Sequence, residues 1–150
     1  MDTITSYDDL VGFFAESGLL HQADPAQSLV TLPTKKDELE AAMYIRWQQD
    51  FEVVHFIQEL NFELPAERLS EVALAIVILN HALPLPGFGV NMGTRSSYFR
   101  VTMPRRPDGS LLKKEIQGLF NLVVRTAAEH LSKLRAVADG ADPMKVLAGG

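Results

Sequence analysis

The segment from Glu38 to Gln48 constrains the fold more than any other part of this sequence. It is rich in helix-forming residues, so intrinsic propensity alone favours a helix. Its periodicity is that of a strand, because apolar residues stand at alternate positions, namely Leu39, Ala41, Met43, Ile45 and Trp47. A helical stripe beginning at Leu39 would instead turn Arg46 and Asp50 toward the core. We therefore predict a strand buried on one side, and with it a protein that contains a sheet.

Further strands are predicted on both sides of this segment. Ser28 to Leu32 has strand composition and is followed by Pro33, which we expect to end it. The residues before it, His21 to Gln27, have the composition of a loop. Phe51 to Leu60 is rich in valine and aromatic residues and is expected to pair with the strand from Glu38 to Gln48 as a hairpin. Two more strands follow, at Phe88 to Met92 and Tyr98 to Met103.

Three helices complete the predicted secondary structure. The first begins after Thr5 or Ser6, since either hydroxyl can cap it, and ends near Gly18. The second is apolar nearly all round from Val72 to Leu79, which is typical of a helix buried by its own domain or by a second copy. The third covers about Leu111 to Val137.

The resulting order, α-β-β-β-α-β-β-α, predicts an α+β fold: an antiparallel sheet of about five strands with helices packed on it. A chain of 150 residues is close to the usual size of one domain, so we expect residues 1–150 to form a single domain. Its core is expected to span about residues 6–140, with residues 141–150 as a loose C-terminal tail.

The sequence contains few of the residues and motifs that catalytic sites use. The chain has no cysteine, which excludes disulfides, thiolate metal sites and cysteine nucleophiles. None of the four histidines stands in a hydrolase or metalloprotease motif; they are His21, His55, His81 and His130. The glycines between Gly87 and Gly93 lack the spacing of a dinucleotide-binding loop. We expect no catalytic residues, no metal site and no cofactor, and therefore not an enzyme.

The N-terminal composition, the longest aliphatic run and the absence of cysteine indicate the cellular location of the protein. The first nine residues are acidic, whereas a secretory signal has a basic start followed by an apolar run. The longest aliphatic run, Val72 to Leu79, has eight residues, against the ~20 that a membrane-spanning helix needs. Together with the absence of cysteine, this predicts a cytoplasmic protein that does not contact a membrane.

Charge is unevenly distributed along the chain. The net charge is −5, but residues 1–94 have a balance of −10 and residues 95–150 a balance of +5. The basic residues cluster at Arg95, Arg100, Arg105, Arg106, Lys113 and Lys114. Two interpretations stay open: the acidic and basic faces are simply solvated, or they serve self-association or a charged ligand. Nucleic acid is the less favoured ligand because the sequence pI is about 5.3.

Several short motifs resemble those of the YbjN-like family of bacterial sensory transduction regulators. They lie between Leu64 and Gly140, and they are Leu64-Pro65-Ala66-Glu67-Arg68, Leu79-Asn80, Pro86-Gly87-Phe88 and Tyr98-Phe99-Arg100-Val101. The basic stretch Arg95 to Lys114 departs from the family's pattern. The resemblance implies a fold similar to the homodimeric chaperones of type III secretion, which hold an extended client segment, and it implies no enzymatic activity.

Two functional hypotheses follow. The leading one is a non-catalytic, chaperone-like or regulatory protein-binding domain that acts as a homodimer in the bacterial cytosol. Its partner, an unidentified protein, is expected to contact Trp47, Phe56, Phe88, Tyr98 and Arg100, the first three as exposed apolar positions. The dimer interface is expected at Leu69, Ile76 and Val77. The alternative is a sensor of anions or nucleic acid that uses the stretch Arg95 to Lys114, with Arg95, Arg105 and Arg106 as anion contacts.

Overall fold

The computed structural model describes residues 2–148 and has the predicted α+β architecture. Within these residues the elements are β1 (Thr3–Ile4), α1 (Tyr7–Glu16), β2 (Gln22–Asp24), β3 (Leu29–Lys36), β4 (Leu39–Gln48), β5 (Val53–Glu59), α2 (Leu69–Ala82), β6 (Phe88–Asn91), β7 (Ser96–Pro104), β8 (Leu111–Leu112), α3 (Lys113–Ala138) and α4 (Pro143–Ala148). Single turns of 3-10 helix precede β3 and α2.

One antiparallel sheet organises the molecule, with strand order β2-β3-β4-β5-β7-β6. The strand predicted over Glu38 to Gln48 is confirmed as β4, which begins one residue later, at Leu39. It pairs with β5 so that Ile45 lies opposite Phe56, and the side chains of both are fully buried. Strands β1 and β8 form a separate two-stranded ribbon that ties the N-terminus to the start of α3.

The helices pack on one face of this sheet. Helix α3 contacts β3, β4, β5 and β7, and α2 contacts β6 and α3. Helix α1 begins where the sequence predicted, since the Ser6 hydroxyl accepts a hydrogen bond of 3.1 Å from the Asp9 N–H. The core between these layers extends from Ile4 to Ala138. Among the described residues, no helix combines the length and apolar composition needed to cross a bilayer.

Two predictions about the first strands are wrong. Residues 22–24 are strand β2 rather than loop, because β3 offers them a ladder in which Ala23 lies opposite Val30. Strand β3 does not end at Pro33 but continues to Lys36. Proline is tolerated there because β2 pairs only with Leu29 to Thr31, so Pro33 lies on an edge of the sheet. The sheet therefore has six strands where about five were predicted.

The C-terminal region is also more ordered than predicted. Residues 143–148 form α4, which packs on α2 and α3. Val146 and Leu147 lie against the hydrophobic core, and Arg68 donates hydrogen bonds of 3.0 and 2.8 Å to the carbonyls of Val137 and Ala141. The expectation of a loose tail from residue 141 is wrong as far as residue 148. The last two residues of that predicted tail lie outside the described part of the chain.

Candidate partner-binding surfaces

The face of the sheet opposite the helices, the open face, consists of half-buried and exposed side chains. Its register follows from the strand pairing, in which Arg46, His55 and Thr102 lie opposite one another across β4, β5 and β7. Tyr44, Ile57 and Arg100 form the next row. The face arises because successive side chains of a strand point to opposite faces of the sheet. The side chains of β4 and β5 that alternate with the buried ones are polar or of mixed character.

A hydrogen-bonded network fixes His55 in the middle of the open face. Its Nδ1 lies 2.8 Å from the Thr102 hydroxyl, and its Nε2 contacts the Gln48 side-chain oxygen. That oxygen only accepts, so Nε2 carries a proton, and in the neutral ring Nδ1 accepts from the Thr102 hydroxyl. Burial lowers the pKa of His55, and the nearby Arg100 and Arg46 lower it further.

Both arginines beside this network are exposed. Within residues 2–148, neither Arg46 nor Arg100 has a carboxylate oxygen within 4.0 Å. The guanidinium of Arg100 lies 5.9 Å from the centre of the Tyr98 ring, a cation–π distance. This half of the open face therefore carries positive charge that no described carboxylate neutralises.

The other half of the open face is aromatic and acidic. The Tyr44 hydroxyl donates a 2.9 Å hydrogen bond to Glu59, and burial followed by this bond raises the pKa of Tyr44. Tyr98 lies opposite both Glu59 and Gly89. A Cβ added to Gly89 would come within 2.6 Å of the Tyr98 ring. The glycine is therefore what lets this tyrosine lie across the neighbouring strand.

A second candidate surface is the outer side of α2, here called the α2 stripe. It is formed by Leu74, Val77 and Ile78, which share one side of the helix. Val77 is 66% exposed and Leu74 is 44% exposed. No charged residue occurs between Val72 and Asn80. Of the predicted dimer contacts, Val77 belongs to this stripe, Leu69 is half-buried, and Ile76 is buried against the core.

The expectation that Trp47, Phe56 and Phe88 are exposed is wrong. All three are at most 5% exposed, because they belong to the face of the sheet that the helices cover. Phe88 packs against Phe99 at a ring separation of 4.7 Å, and Phe56 is completely buried. Tyr98 and Arg100 remain as the two predicted partner contacts that reach the surface, and both lie on the open face.

The predicted anion contacts do not form one patch. Arg105 is only 9% exposed; its guanidinium lies 4.5 Å from the centre of the Trp47 ring and donates a 3.1 Å hydrogen bond to the Gln48 carbonyl. Arg106 forms a 2.6 Å ion pair with Glu115 at the start of α3. Burial alone would raise the pKa of Glu115, but the hydrogen bonds from Arg106 and from the Leu112 N–H, together with the positive charges of Arg106 and Lys114, outweigh burial and leave this pKa below its ordinary value. Arg95 lies apart, in the β6–β7 turn.

Sequence reasoning missed Arg46, His55 and Thr102 as members of one surface. The signal was available in part, since Arg46 alternates with the buried residues of β4 and therefore had to lie on the opposite face. The register that brings His55 between Arg46 and Thr102 involves residues 47 positions apart, and no local pattern reveals it.

Comparison of the sequence with models of protein families and with curated proteins gives no match. The resemblance to the YbjN-like family and to the type III secretion chaperones therefore stays a prediction.

Proposed function

We propose that this chain is a non-catalytic protein-binding domain, chaperone-like or regulatory, that acts in the bacterial cytoplasm as a homodimer. The two copies associate through the α2 stripe, and a partner protein binds to the open face at Tyr98 and Arg100. The observation that carries the proposal is the exposure of large apolar side chains on α2.

An exposed apolar stripe on a helix is unfavourable for an isolated domain, because these side chains gain stability only when they leave water. On α2 the outward residues include Leu74 and Val77, while the inward residues Val72 and Ile76 pack into the core. The helix is thus apolar on both sides, as the sequence indicated. A second copy supplies a matching apolar surface, because a twofold interface is self-complementary.

Helix α2 is anchored to the rest of the domain by hydrogen bonds and by packing. The Asn80 side chain donates a 3.0 Å hydrogen bond to the Phe88 carbonyl and accepts one of 2.8 Å from the Phe88 N–H. These bonds join the C-terminal end of α2 to β6, while α4 packs on the same helix. A fixed helix loses little conformational freedom when a second copy binds, which favours association.

Sedimentation velocity over a range of concentrations tests the proposal, with Val77→Arg as the variant. Val77 is 66% exposed, so burying it contributes about 1 kcal/mol or more, and twofold symmetry counts the change twice. The introduced arginines also place two positive charges next to each other. We expect the dimer dissociation constant to rise at least about 30-fold.

Met92→Arg is the matched control, because Met92 is 64% exposed but lies in the turn after β6. This variant should stay dimeric, and both variants should keep the circular dichroism spectrum of the original chain. The proposed interface would be contradicted if the original chain stayed monomeric at the highest concentration of the series. It would also be contradicted if Val77→Arg had the same dimer dissociation constant as the original chain.

The alternative sensor function, based on the stretch Arg95 to Lys114, has less support. Arg105 is buried beside Trp47, and Arg106 is paired with Glu115. A clamp on an anion needs several free donors that converge on one point.

A further inference from the structure

We propose that the open face binds an acidic, extended segment of a partner protein, with Arg46 and Arg100 holding its carboxylates on either side of His55. This inference rests on the proposed protein-binding function and specifies the chemistry of the partner. It assigns roles to two residues, Arg46 and His55, that the sequence did not single out as contacts.

The spacing of the two arginines fits an extended chain. Arg46 on β4 and Arg100 on β7 are separated by two strand spacings and by one two-residue step along the strand. Their Cα atoms are therefore roughly 12 Å apart. Alternate side chains of an extended segment lie roughly 7 Å apart, so acidic residues two or four positions apart reach both guanidinium groups.

The arginines are available for such contacts. Both side chains are exposed, and within the described chain neither donates a hydrogen bond or forms an ion pair. Ile57 lies directly opposite Arg100 and Tyr44, and it provides an apolar floor between the charged positions. A guanidinium that meets a carboxylate forms strong, charge-assisted hydrogen bonds.

His55 couples this site to protons. In the free protein its ring is neutral, held by Gln48 and Thr102, and the charged groups that face it are Arg46 on β4 and Arg100 on β7. Carboxylates bound above these arginines offset their repulsion and favour the charged ring. Protonation requires only that the Thr102 hydroxyl rotate to accept from Nδ1, since Gln48 already accepts from Nε2. Binding of an acidic segment should therefore raise the pKa of His55.

The surroundings favour carboxylates on a protein over nucleic acid. Glu59 lies next to both tyrosines of the open face, so a phosphate backbone whose bases stack on those rings would run beside a carboxylate. The protein as a whole carries a net charge of −5, which repels a polyanion. A peptide with a few spaced carboxylates carries fewer charges than a nucleic acid and can keep them away from Glu59, so both conflicts are smaller.

The test is an NMR titration of the complete, isotopically labelled chain with a nine-residue peptide carrying glutamate at alternate positions. A second peptide has glutamine at the same positions, and single-stranded oligouridylate and inorganic phosphate are titrated separately. We expect the glutamate peptide to shift the signals of His55 and Ile57 and to raise the pKa of His55. Arg46→Gln and Arg100→Gln should each weaken binding by about tenfold, the loss of one charge-assisted contact.

Arg125→Gln and Arg95→Gln are the matched controls, because both arginines are exposed and lie outside the open face. Each should change the affinity less than twofold. Equal binding of the glutamine peptide, equal losses in the control variants, or tighter binding of oligouridylate or phosphate would each overturn the proposal.

The result separates this inference from the proposed dimer. If the glutamate peptide fails to bind while Val77→Arg still dissociates the dimer, only the recognition of acidic segments is refuted. If the peptide binds a chain that sedimentation shows to be monomeric, the open-face site stands and the α2 interface falls.

Discussion

Replacing Arg105 with alanine should destabilise the fold rather than alter the binding of an anion. Its guanidinium is buried, lies 4.5 Å from the centre of the Trp47 ring and donates to the Gln48 carbonyl. Alanine removes both interactions from the end of β4. Because Gln48 also contacts His55, the substitution should in addition loosen the network on the open face.

The expected loss can be estimated from these contacts. A desolvated cation–π contact with tryptophan contributes about 2 kcal/mol, and a hydrogen bond from a charged donor about 1.5 kcal/mol. The buried Arg105 Nε has no hydrogen-bond partner, and alanine removes this unfavourable group, which offsets about 1 kcal/mol. The net decrease in the free energy of unfolding is about 2.5 kcal/mol. For a domain of this length, the melting temperature should fall by roughly 5–10 °C.

Urea denaturation followed by tryptophan fluorescence measures this loss directly, because Trp47 is the only tryptophan of the chain. The neighbouring Arg106→Ala is the control; its ion pair with Glu115 is partly exposed, so it should cost less than about 1 kcal/mol. An Arg105→Ala protein as stable as the original chain would refute a structural role for Arg105 and return it to the candidate anion contacts.

Two further predictions concern stability. Asn80→Ala removes both hydrogen bonds to Phe88, which costs about 2 kcal/mol, and regains about 0.5 kcal/mol of helix propensity. Thermal unfolding should therefore show a net loss of stability of about 1.5 kcal/mol. The control Asn121→Ala, at an exposed position of α3, should be nearly neutral, and equal losses in the two variants would contradict the assigned bonds. Burial lowers the pKa of His130, as it does for His55, so the unfolded chain binds these protons more tightly and stability is complete above the unfolded value of about 6.5. The free energy of unfolding should therefore decrease as the pH falls through that value, and His130→Gln should flatten the slope; an unchanged slope would show that His130 does not titrate as inferred.

The parts of the fold that local patterns determine were predictable. Strand β4 follows from the alternation of its side chains, and the start of α1 from the Ser6 cap. Strand β2 was missed because residues 22–24 have no strand composition of their own and pair only because β3 lies beside them. Helix α4 was missed because it has six residues and depends on packing against α2.

The site was harder to predict, because burial and proximity depend on contacts between distant residues. Trp47 belonged to the apolar face of β4, but the sequence did not show that helices cover this face completely. Arg105 looked like its exposed basic neighbours, and its contact with Trp47 joins residues 58 positions apart. The pairing of Arg46 with His55 depends on the hairpin register, which is set by the turn between β4 and β5.

Pro33 has a consequence for how this protein avoids associating in the wrong way. The Glu40 N–H bonds to Asn61, away from β3, so the alternation of the ladder turns the nitrogen of Pro33 toward the unpaired outer side of β3. A proline nitrogen offers no hydrogen to an incoming strand, and the exposed Lys35 and Lys36 add charge at the same edge. The edge thus resists the strand-by-strand stacking that begins aggregation. A sheet protected in this way can keep a broad face uncovered without stacking edge to edge, and the face stays free for the partner that we propose.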